Sequence, residues 1–303
     1  MAHRQIIGKE TIKSGFYRLP DTDRGSATFS ADSSKLFVDW RDNEEGVLII
    51  VPHDDDATIG MGMLLQHLTR AQIPLTIAVV TDGRLGYTSE HDRASISQIR
   101  MREMNESCRI LGIDESQIQW LGFPDGDLER YRGKRVAVKG DPISGDGFTG
   151  LEDAFVRVIR RGVDHHGKRY PITRIFCPAA SDYHNDHVVV SEQIMISIFH
   201  AQGLIWPECG ACINRRPFCY QFAIYCDFAA DQPPNLLYQG SDEYFEAKMR
   251  SIMSFKSQGQ IAALVEQLRR EGPSELYREV EFRLASRARQ LAPFLSRKYT
   301  EVD

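Results

Sequence analysis

Short apolar runs alternate along most of the chain with longer segments whose apolar residues recur at helical spacing. The runs GVLIIVP, from Gly46, and LTIAVVTDG, from Leu75, are apolar on both faces, which is typical of strands covered on both sides. IGMGMLLQHLTRAQ between them and ASISQIRMREMNESCRILGI after them predict helices. IQWLGFPDGD, EDAFVRVIRRGVDHH, RIFCPAA and VVVSEQIMISIFHAQ continue the alternation. The pattern predicts a single Rossmann-like, three-layer α/β domain with a mostly parallel sheet and helices on both faces.

The two ends of the chain differ from its centre. Residues 1–45 lack sustained periodicity, so we expect an N-terminal extension that wraps the domain or is partly flexible. FCYQFAIYCDF predicts a further strand and SDEYFEAKMRSIMSFKSQ a helix, and Pro273, followed by Ser and Glu, is expected to open a last helix that runs to Leu295. The chain has no internal repeat or low-complexity linker, so we expect residues 46–303 to form one domain.

Composition and charge restrict the classes of function. The 303 residues are 42% hydrophobic and 26% charged, which is ordinary for a globular protein with a sizeable core. The net charge of -5 gives no global basic field, so a small-molecule ligand is expected rather than a nucleic acid. The sequence shows neither an apolar leader nor a run long enough for a membrane span, and we expect a soluble, cytoplasmic protein. The pattern leaves the oligomeric state open, a homo-oligomer included.

Cysteine usage agrees with a reducing compartment. Six cysteines in a chain of this length are too sparse for a disulfide framework. Cys209, Cys212, Cys219 and Cys226 are clustered enough to leave a structural zinc site or a bridge open, although buried or loop thiols are the more common outcome.

Polar clusters follow four of the predicted strands. They are residues 53–56 (HDDD), 81–86 (TDGRLG), 124–127 (PDGD) and 181–187 (SDYHNDH). Because the carboxyl ends of parallel strands meet at one edge of a sheet, we expect one pocket to collect them. Three adjacent carboxylates repel one another unless a cation compensates, and imidazole with carboxylate suits Zn²⁺. A helix N-cap would explain the aspartates alone, but a second histidine cluster at the same edge favours a metal site made of His53, Asp56 and one distant histidine.

These motifs resemble those of a known family. VPHDDDATIGMGMLL resembles the AHPDDE signature of the PIG-L/LmbE-like deacetylases, a family that includes N-acetylglucosaminylphosphatidylinositol, mycothiol-precursor and bacillithiol-precursor deacetylases, and HNDHVVV is similar to its HPDH motif. TDGRLG, the R-x-x-E helix, LGFPDGDL and KMRSIMSFKSQ also match in family order. The resemblance extends from about Gly46 to Gln258, which is most of the chain.

The resemblance implies a set of residue roles. It assigns zinc to His53, Asp56 and His187, although Fe²⁺ or another divalent ion also fits such a set. It further makes Asp55 the general base, gives oxyanion support to a protonated His184 that is charged and aimed by Asp186, and places Arg100 and Asp125 on sugar hydroxyls. The expected function is hydrolysis of the acetyl group from the amide nitrogen of an N-acetylated amino sugar or its conjugate.

Three positions depart from the family pattern. Asp54 replaces its proline, Ala57 its glutamate and Asn185 the proline of HPDH, whereas every implied ligand and the base are retained. Two alternatives therefore remain open at this point: the same site acting on a non-sugar amide, as in natural-product tailoring, and a non-catalytic binding protein of the same fold. A nucleotide-binding domain is disfavoured because no G-x-G-x-x-G follows the first strand.

Overall fold

The computed structural model describes residues 13–20, 26–133 and 150–280, together with residues 287, 291 and 292. The strands among them are β1 (Gly15–Arg18), β2 (Thr28–Ser30), β3 (Val47–Val51), β4 (Leu75–Thr81), β5 (Ile118–Phe123), β6 (Val163–His165), β7 (Lys168–Tyr170), β8 (Arg174–Pro178), β9 (Phe218–Phe222), β10 (Leu236–Gln239) and β11 (Ser274–Val280). The helices are α1 (Asp56–Arg70), α2 (Ile96–Ile110), α3 (Leu151–Arg161), α4 (Asn185–Gln202), α5 (Asp242–Ile252) and α6 (Ile261–Glu271). None of the helices in this described part is long and apolar enough to cross a membrane.

The central sheet determines where a ligand can bind. Its order in the described residues is β2-β1-β10-β11-β9-β8-β3-β4-β5. Strands β9, β8, β3, β4 and β5 are parallel, as predicted, and four antiparallel strands that the sequence did not predict as such extend the β9 side. The chain leaves β3 towards β4 and β5 and later returns on the other side to β8. The crevice at the carboxyl ends of β3 and β8 is therefore the expected ligand site of such a sheet.

The apolar run of β3 explains its central position. Every residue from Val47 to Val51 is fully buried, because alternate side chains face two separate core layers. Helices α1, α2, α5 and α6 supply one layer, and α3 and α4 supply the other. This two-sided burial confirms the three-layer prediction and fixes the end of β3, where the HDDD turn begins.

The helix predicted from Pro273 is wrong over its first part. Residues 274–280 form β11, which pairs antiparallel with β9 and β10. Glu275 and Tyr277 are buried while Ser274 and Leu276 are exposed, a period of two that prevails over the helix-start signal. Most of the rest of the predicted helix lies outside the described residues.

Glu275 connects β11 to α1, the helix that begins at Asp56. Its two carboxylate oxygens accept the backbone N–H groups of Met63 and Leu64, each at 2.9 Å, and Lys248 Nζ lies 2.7 Å from Oε1. These two N–H groups follow Met61, whose backbone is not helical (φ -147°) and kinks α1. The carboxylate thus caps the second half of α1, as an acidic group does at a helix N-terminus.

The predicted extension contributes to the same sheet. Strand β1 pairs with β10, and Phe16 and Phe37 are buried in the core layer beneath it. Both N-terminal strands are only 3 or 4 residues long, too short for a visible alternation in the sequence. Residues 1–12 lie outside the described part, and the domain boundary at residue 45 stays a prediction.

Candidate active site

Three side chains converge at the carboxyl ends of β3 and β8. His53 follows β3, Asp56 begins α1, and His187 lies in the first turn of α4. His53 Nδ1 and His187 Nε2 each lie 3.3 Å from Asp56 Oδ2 and 3.3 Å from each other. A tetrahedral cation with bonds of about 2.0 to 2.1 Å holds its ligand atoms about 3.3 to 3.4 Å apart. The three atoms therefore have the spacing of one face of such a metal site.

Two other groups of side chains are also compact enough to hold a metal. One is His53 with His184 and His187, and the other is His53 with Asp125 and Asp186. In the second group, Asp125 Oδ1 lies 3.2 Å and Asp186 Oδ2 3.8 Å from His53 Nε2, the ring nitrogen that does not face the triangle. Both carboxylates also accept backbone N–H groups, from Leu85 at 3.1 Å and from Gly126 at 2.8 Å. These contacts are those of groups that orient a metal-binding histidine through its other nitrogen.

The charges at the triangle call for a cation. Burial alone would lower the pKa of both histidines, but the charge of Asp56 outweighs it, raising the pKa of His187 to about 9 and that of His53 well above its usual value. Within the described chain, Asp56 Oδ1 has no hydrogen-bond partner although it is buried. A divalent cation would supply the same positive charge as two imidazolium protons and would satisfy the carboxylate. The donor set therefore fits a metal ion.

Metal binding should consequently depend on pH. With Zn²⁺ as the probe, we expect release of one to two protons per ion near neutral pH, because the ring nitrogens must be deprotonated to bind. The apparent affinity should rise about tenfold per pH unit for each proton released. Calorimetric titration in buffers of different ionisation enthalpy measures both quantities. An affinity independent of pH would mean that neither imidazole is a ligand.

Asp55, the residue before Asp56 in the HDDD turn, contacts Arg100. Arg100 Nη2 lies 3.3 Å from Asp55 Oδ1, while Nε and Nη2 both bind Asp54 Oδ1, Nε at 2.7 Å. Burial raises the pKa of Asp55 to about 6 against the opposing charge of Arg100. The carboxylate is therefore ionised at neutral pH, but its proton affinity is higher than that of an ordinary aspartate.

Arg100 lies beneath the TDGRLG loop. A Cβ atom at Gly86 would clash with the Arg100 guanidinium, so a larger residue there would have to displace a side chain that pairs with Asp54 and Asp55. Arg100 is 5% exposed, and Asp125 is 8% exposed with both oxygens engaged by His53 and Leu85. The structure thus gives both residues partners inside the protein, and their predicted contacts with sugar hydroxyls stay a prediction.

His184 is aimed differently from the prediction. Its Nδ1 accepts the backbone N–H of Asp186 at 3.2 Å, which leaves the proton of the neutral ring on Nε2. Burial and the neighbouring His53 and His187 lower the pKa of His184, so a neutral ring is favoured rather than the protonated one expected. The carboxylate of Asp186 instead accepts the N–H groups of Gly126 and Leu128, at 2.8 and 3.3 Å. Asp186 therefore orients His184 through its backbone only.

Asp182 is a site residue that the sequence reasoning missed. Its Oδ2 lies 3.2 Å from His187 Nδ1, and its two oxygens accept the backbone N–H groups of His184 and Tyr225, at 3.1 and 3.3 Å. One carboxylate thus contacts the ring of His187 and holds the turn before α4 and the loop after β9. The signal available was an acidic residue inside the same histidine motif, because metal-binding histidines usually donate their second N–H to a carboxylate.

Tyr225 forms the aromatic rim. Its ring centroid lies 5.1 Å from that of His187 and 5.9 Å from that of His184, and 56% of the residue is exposed. Of the aromatic residues elsewhere, Tyr183 in the SDYHNDH motif is 86% exposed, and Trp206 packs against His200 at the far end of α4.

The cysteines do not form the site that the sequence left open. All six thiols are free. Cys209 Sγ contacts Asp153, Cys219 Sγ lies 3.9 Å from Cys177 Sγ, and Cys226 Sγ donates to the carbonyl of Ser181. In the described residues, none of the three side-chain groups able to hold a metal contains a cysteine.

Comparison with known sequences identifies related deacetylases. The sequence model of PIG-L, described as GlcNAc-PI de-N-acetylase, matches residues 48–198. The chain is 26% identical over 244 residues to a probable N-acetyl-alpha-D-glucosaminyl L-malate deacetylase 2 from Bacillus anthracis, which covers 79% of this chain and 92% of that protein. It is 36% identical over 116 residues to diacetylchitobiose deacetylase from Thermococcus kodakarensis, covering 36% of this chain and 42% of the relative. A Bacillus cereus protein with the same name as the B. anthracis relative is 33% identical over 90 residues, which is 40% of its length. This match and the match to the T. kodakarensis protein each span less than half of the relative.

Solved structures share the fold. N,N′-diacetylchitobiose deacetylase from Pyrococcus horikoshii superimposes with a TM-score of 0.57 at 22% identity, covering 77% of this chain and 83% of that one. The 4-carboxy-2-hydroxymuconate hydratase from Pseudomonas putida KT2440 gives 0.58 at 15% identity, covering 80% and 98%. Because proteins named for different reactions share this fold, the fold alone does not define the chemistry, which depends on the residues of the site.

Proposed function

Because the chain belongs to the PIG-L family of deacetylases, we propose that it is a zinc-dependent hydrolase of the amide bond in an N-acetylated amino sugar or its conjugate. The observation that carries this proposal is the 3.3 Å triangle of His53, Asp56 and His187 beside the buried carboxylate of Asp55. Two imidazoles and one carboxylate form a catalytic type of zinc set, since they leave one position open. Fe²⁺ also fits such ligands, so metal analysis is part of the test.

The side chains around the triangle supply the proton transfers. Zinc held by His53, Asp56 and His187 would lower the pKa of a water molecule towards 7 and would polarise an amide carbonyl. Asp55 takes the proton of the attacking water, because it is ionised at neutral pH. It then passes that proton to the nitrogen of the breaking amide bond, so that water is consumed and acetate and a free amine are formed.

His184 is proposed to stabilise the developing oxyanion. Its Nε2 carries the proton in the neutral ring, and that N–H can donate to the carbonyl oxygen as negative charge develops on it. A donor of this kind contributes about 3 kcal/mol to transition-state stabilisation. Asp125, Asp182 and Asp186 hold the histidine rings and their loops in place, a role in which such partners usually affect metal affinity and activity about 10- to 100-fold.

The sugar part of the proposal rests on the names of the relatives, which act on N-acetylglucosaminyl malate and on diacetylchitobiose. The contacts of Arg100 and Asp125 with sugar hydroxyls are part of this proposal. A non-catalytic binding protein is disfavoured because Asp55 and His184 are retained beside the metal set, and binding alone requires neither a base nor an oxyanion donor. The free thiols agree with a cytoplasmic location.

Incubation of the zinc-loaded protein with N,N′-diacetylchitobiose and with N-acetylglucosaminyl malate tests the function. We expect acetate and primary amine to appear in equal amounts from at least one of them, and removal of the metal with a chelator to stop the release. N-acetylated amino acids serve as the non-sugar amides. Release from these alone would assign a different substrate class, and a protein with one bound zinc that hydrolyses no N-acetyl compound would overturn the proposal.

A further inference from the structure

Position 54 is where this chain departs from the proline of the related motif, and the structure shows what the substitution does. Asp54 is 2% exposed, and its Oδ1 accepts both Nε and Nη2 of Arg100. Nη2 of the same guanidinium lies 3.3 Å from Asp55 Oδ1. Among the described residues, Asp54 Oδ2 is buried without a hydrogen-bond partner. The positive charge of Arg100 is therefore shared between two carboxylates, which leaves a surplus of negative charge on this side of the site.

The whole site has the same surplus. Six buried carboxylates surround it within the described ranges, those of Asp54, Asp55, Asp56, Asp125, Asp182 and Asp186. Arg100 is the buried guanidinium among them, whereas Arg84 is half-exposed and forms a salt bridge with Asp82. A divalent cation and Arg100 together compensate half of these charges. Because partly buried charges are poorly screened, three uncompensated carboxylates oppose the entry of any further anion.

We infer that the site selects N-acetylated amino sugars whose attached group is uncharged or cationic, and that Asp54 is the residue that sets this preference against anionic conjugates. The inference rests on the proposed function and specifies its substrate class. A proline at position 54 carries no charge and would leave the Arg100 guanidinium paired with Asp55 alone, so the site would hold one negative charge less to repel a carboxylate or phosphate of the substrate. One elementary charge acting over several ångströms at such a site changes the binding of an anion on the order of tenfold.

Two substrates that share the N-acetylglucosaminyl group test the preference. We expect zinc-loaded wild-type protein to show a kcat/KM for N,N′-diacetylchitobiose at least about tenfold higher than for the dianionic N-acetylglucosaminyl malate. Asp54→Asn retains the size of the side chain and one acceptor for Arg100 but removes the charge. It is expected to reduce that ratio about tenfold, chiefly through a lower KM for the malate conjugate, because ground-state repulsion is removed.

Asp54→Asn also alters the contact between Arg100 and Asp55, which can change the chemical step. Because such a change affects both substrates, it cancels in the ratio of their kcat/KM values. Asp164→Asn is the matched control, because Asp164 pairs with Arg169 in the exposed β6–β7 hairpin, and the ratio should not change. If Asp54→Asn does not fold, inhibition of the wild type by the two product amines replaces it, with weaker inhibition expected from the glucosaminyl malate.

The outcomes separate this inference from the proposed function. A wild type that prefers the malate conjugate, or an Asp54→Asn variant with an unchanged ratio, would overturn the role of Asp54 while the deacetylase activity stands. Equal inhibition by the two product amines would also overturn it. Hydrolysis of neither substrate by the zinc-loaded wild type would overturn the proposed function itself.

Discussion

Replacement of Asp55 by asparagine is expected to lower kcat about 10³- to 10⁴-fold while zinc content and KM change little. Asparagine has the same shape and can still accept a hydrogen bond from Arg100 Nη2, so the turn before α1 should be preserved. It cannot accept the proton of the attacking water, which is the step for which the buried carboxylate is proposed. Steady-state kinetics, metal analysis by mass spectrometry and a thermal unfolding curve check the three parts of this expectation.

The pH profile of the wild type provides an independent check on Asp55. Burial raises its pKa to about 6, so the carboxylate is ionised above that pH and protonated below it. The kcat/KM of the wild type should therefore fall as the pH decreases through about 6. Asp127→Asn, which removes an exposed carboxylate of the PDGD turn, is the control and should leave the profile unchanged. An Asp55→Asn variant with near-normal turnover would exclude Asp55 as the base, and one that loses zinc would make it a ligand.

The part of the site that was predictable follows from the strands. The apolar runs of β3 and β8 can only be buried between two helical layers, and parallel strands bring their carboxyl ends to one edge. This alone places residues from positions 53 and 187 in one crevice, 134 positions apart in sequence, and the structure brings their ring nitrogens to within 3.3 Å. Charge repulsion within HDDD then indicates a cation at that edge.

Side-chain partners were less predictable, because they depend on angles and distances that no periodicity encodes. Arg100 is visible in the sequence as one position of a helix, but its pairing with Asp54 requires the approach of α2 to the end of β3. Asp182 becomes important only through the direction in which the His187 ring points. A charge at position 54 was visible as a departure from the family pattern, whereas its effect on Arg100 was not.

Strand β11 shows how long-range pairing prevails over a local signal. Pro273 followed by Ser274 and Glu275 has the composition of a helix start. The open edges of β9 and β10 offer backbone partners to the same segment, and Glu275 gains two N–H donors from α1 and the charge of Lys248. These contacts involve residues far away in the sequence, so the helix prediction could not include them.

Replacement of His187 by alanine is expected to abolish both zinc binding and turnover, whereas His184→Ala should lose turnover alone. His187 Nε2 forms one corner of the 3.3 Å triangle, so its removal leaves two of the three ligands. Loss of a residue that only orients a ligand can lower the affinity for zinc roughly 100-fold, and loss of a ligand should lower it further. His184 Nδ1 accepts a backbone N–H, so the ring offers the site only the Nε2–H donor. Loss of this donor should lower kcat about 10²- to 10³-fold while the metal is retained. Metal content and kcat are measured for both variants.

Asp125→Asn decides between the compact groups of side chains around His53. If His53, Asp56 and His187 are the ligands, asparagine at 125 still accepts from His53 Nε2–H, and zinc affinity should fall by no more than about 100-fold. If the metal is instead held by His53, Asp125 and Asp186, Asp125→Asn removes a ligand and should abolish zinc binding. His187→Ala should then retain zinc. Zinc retained in His187→Ala but lost in Asp125→Asn would therefore place the metal on the opposite nitrogen of His53 and remove Asp56 from the ligand set. The reverse result, together with zinc retained in His184→Ala, ties the metal to the group that contains Asp56, one residue from the carboxylate that is proposed as the base.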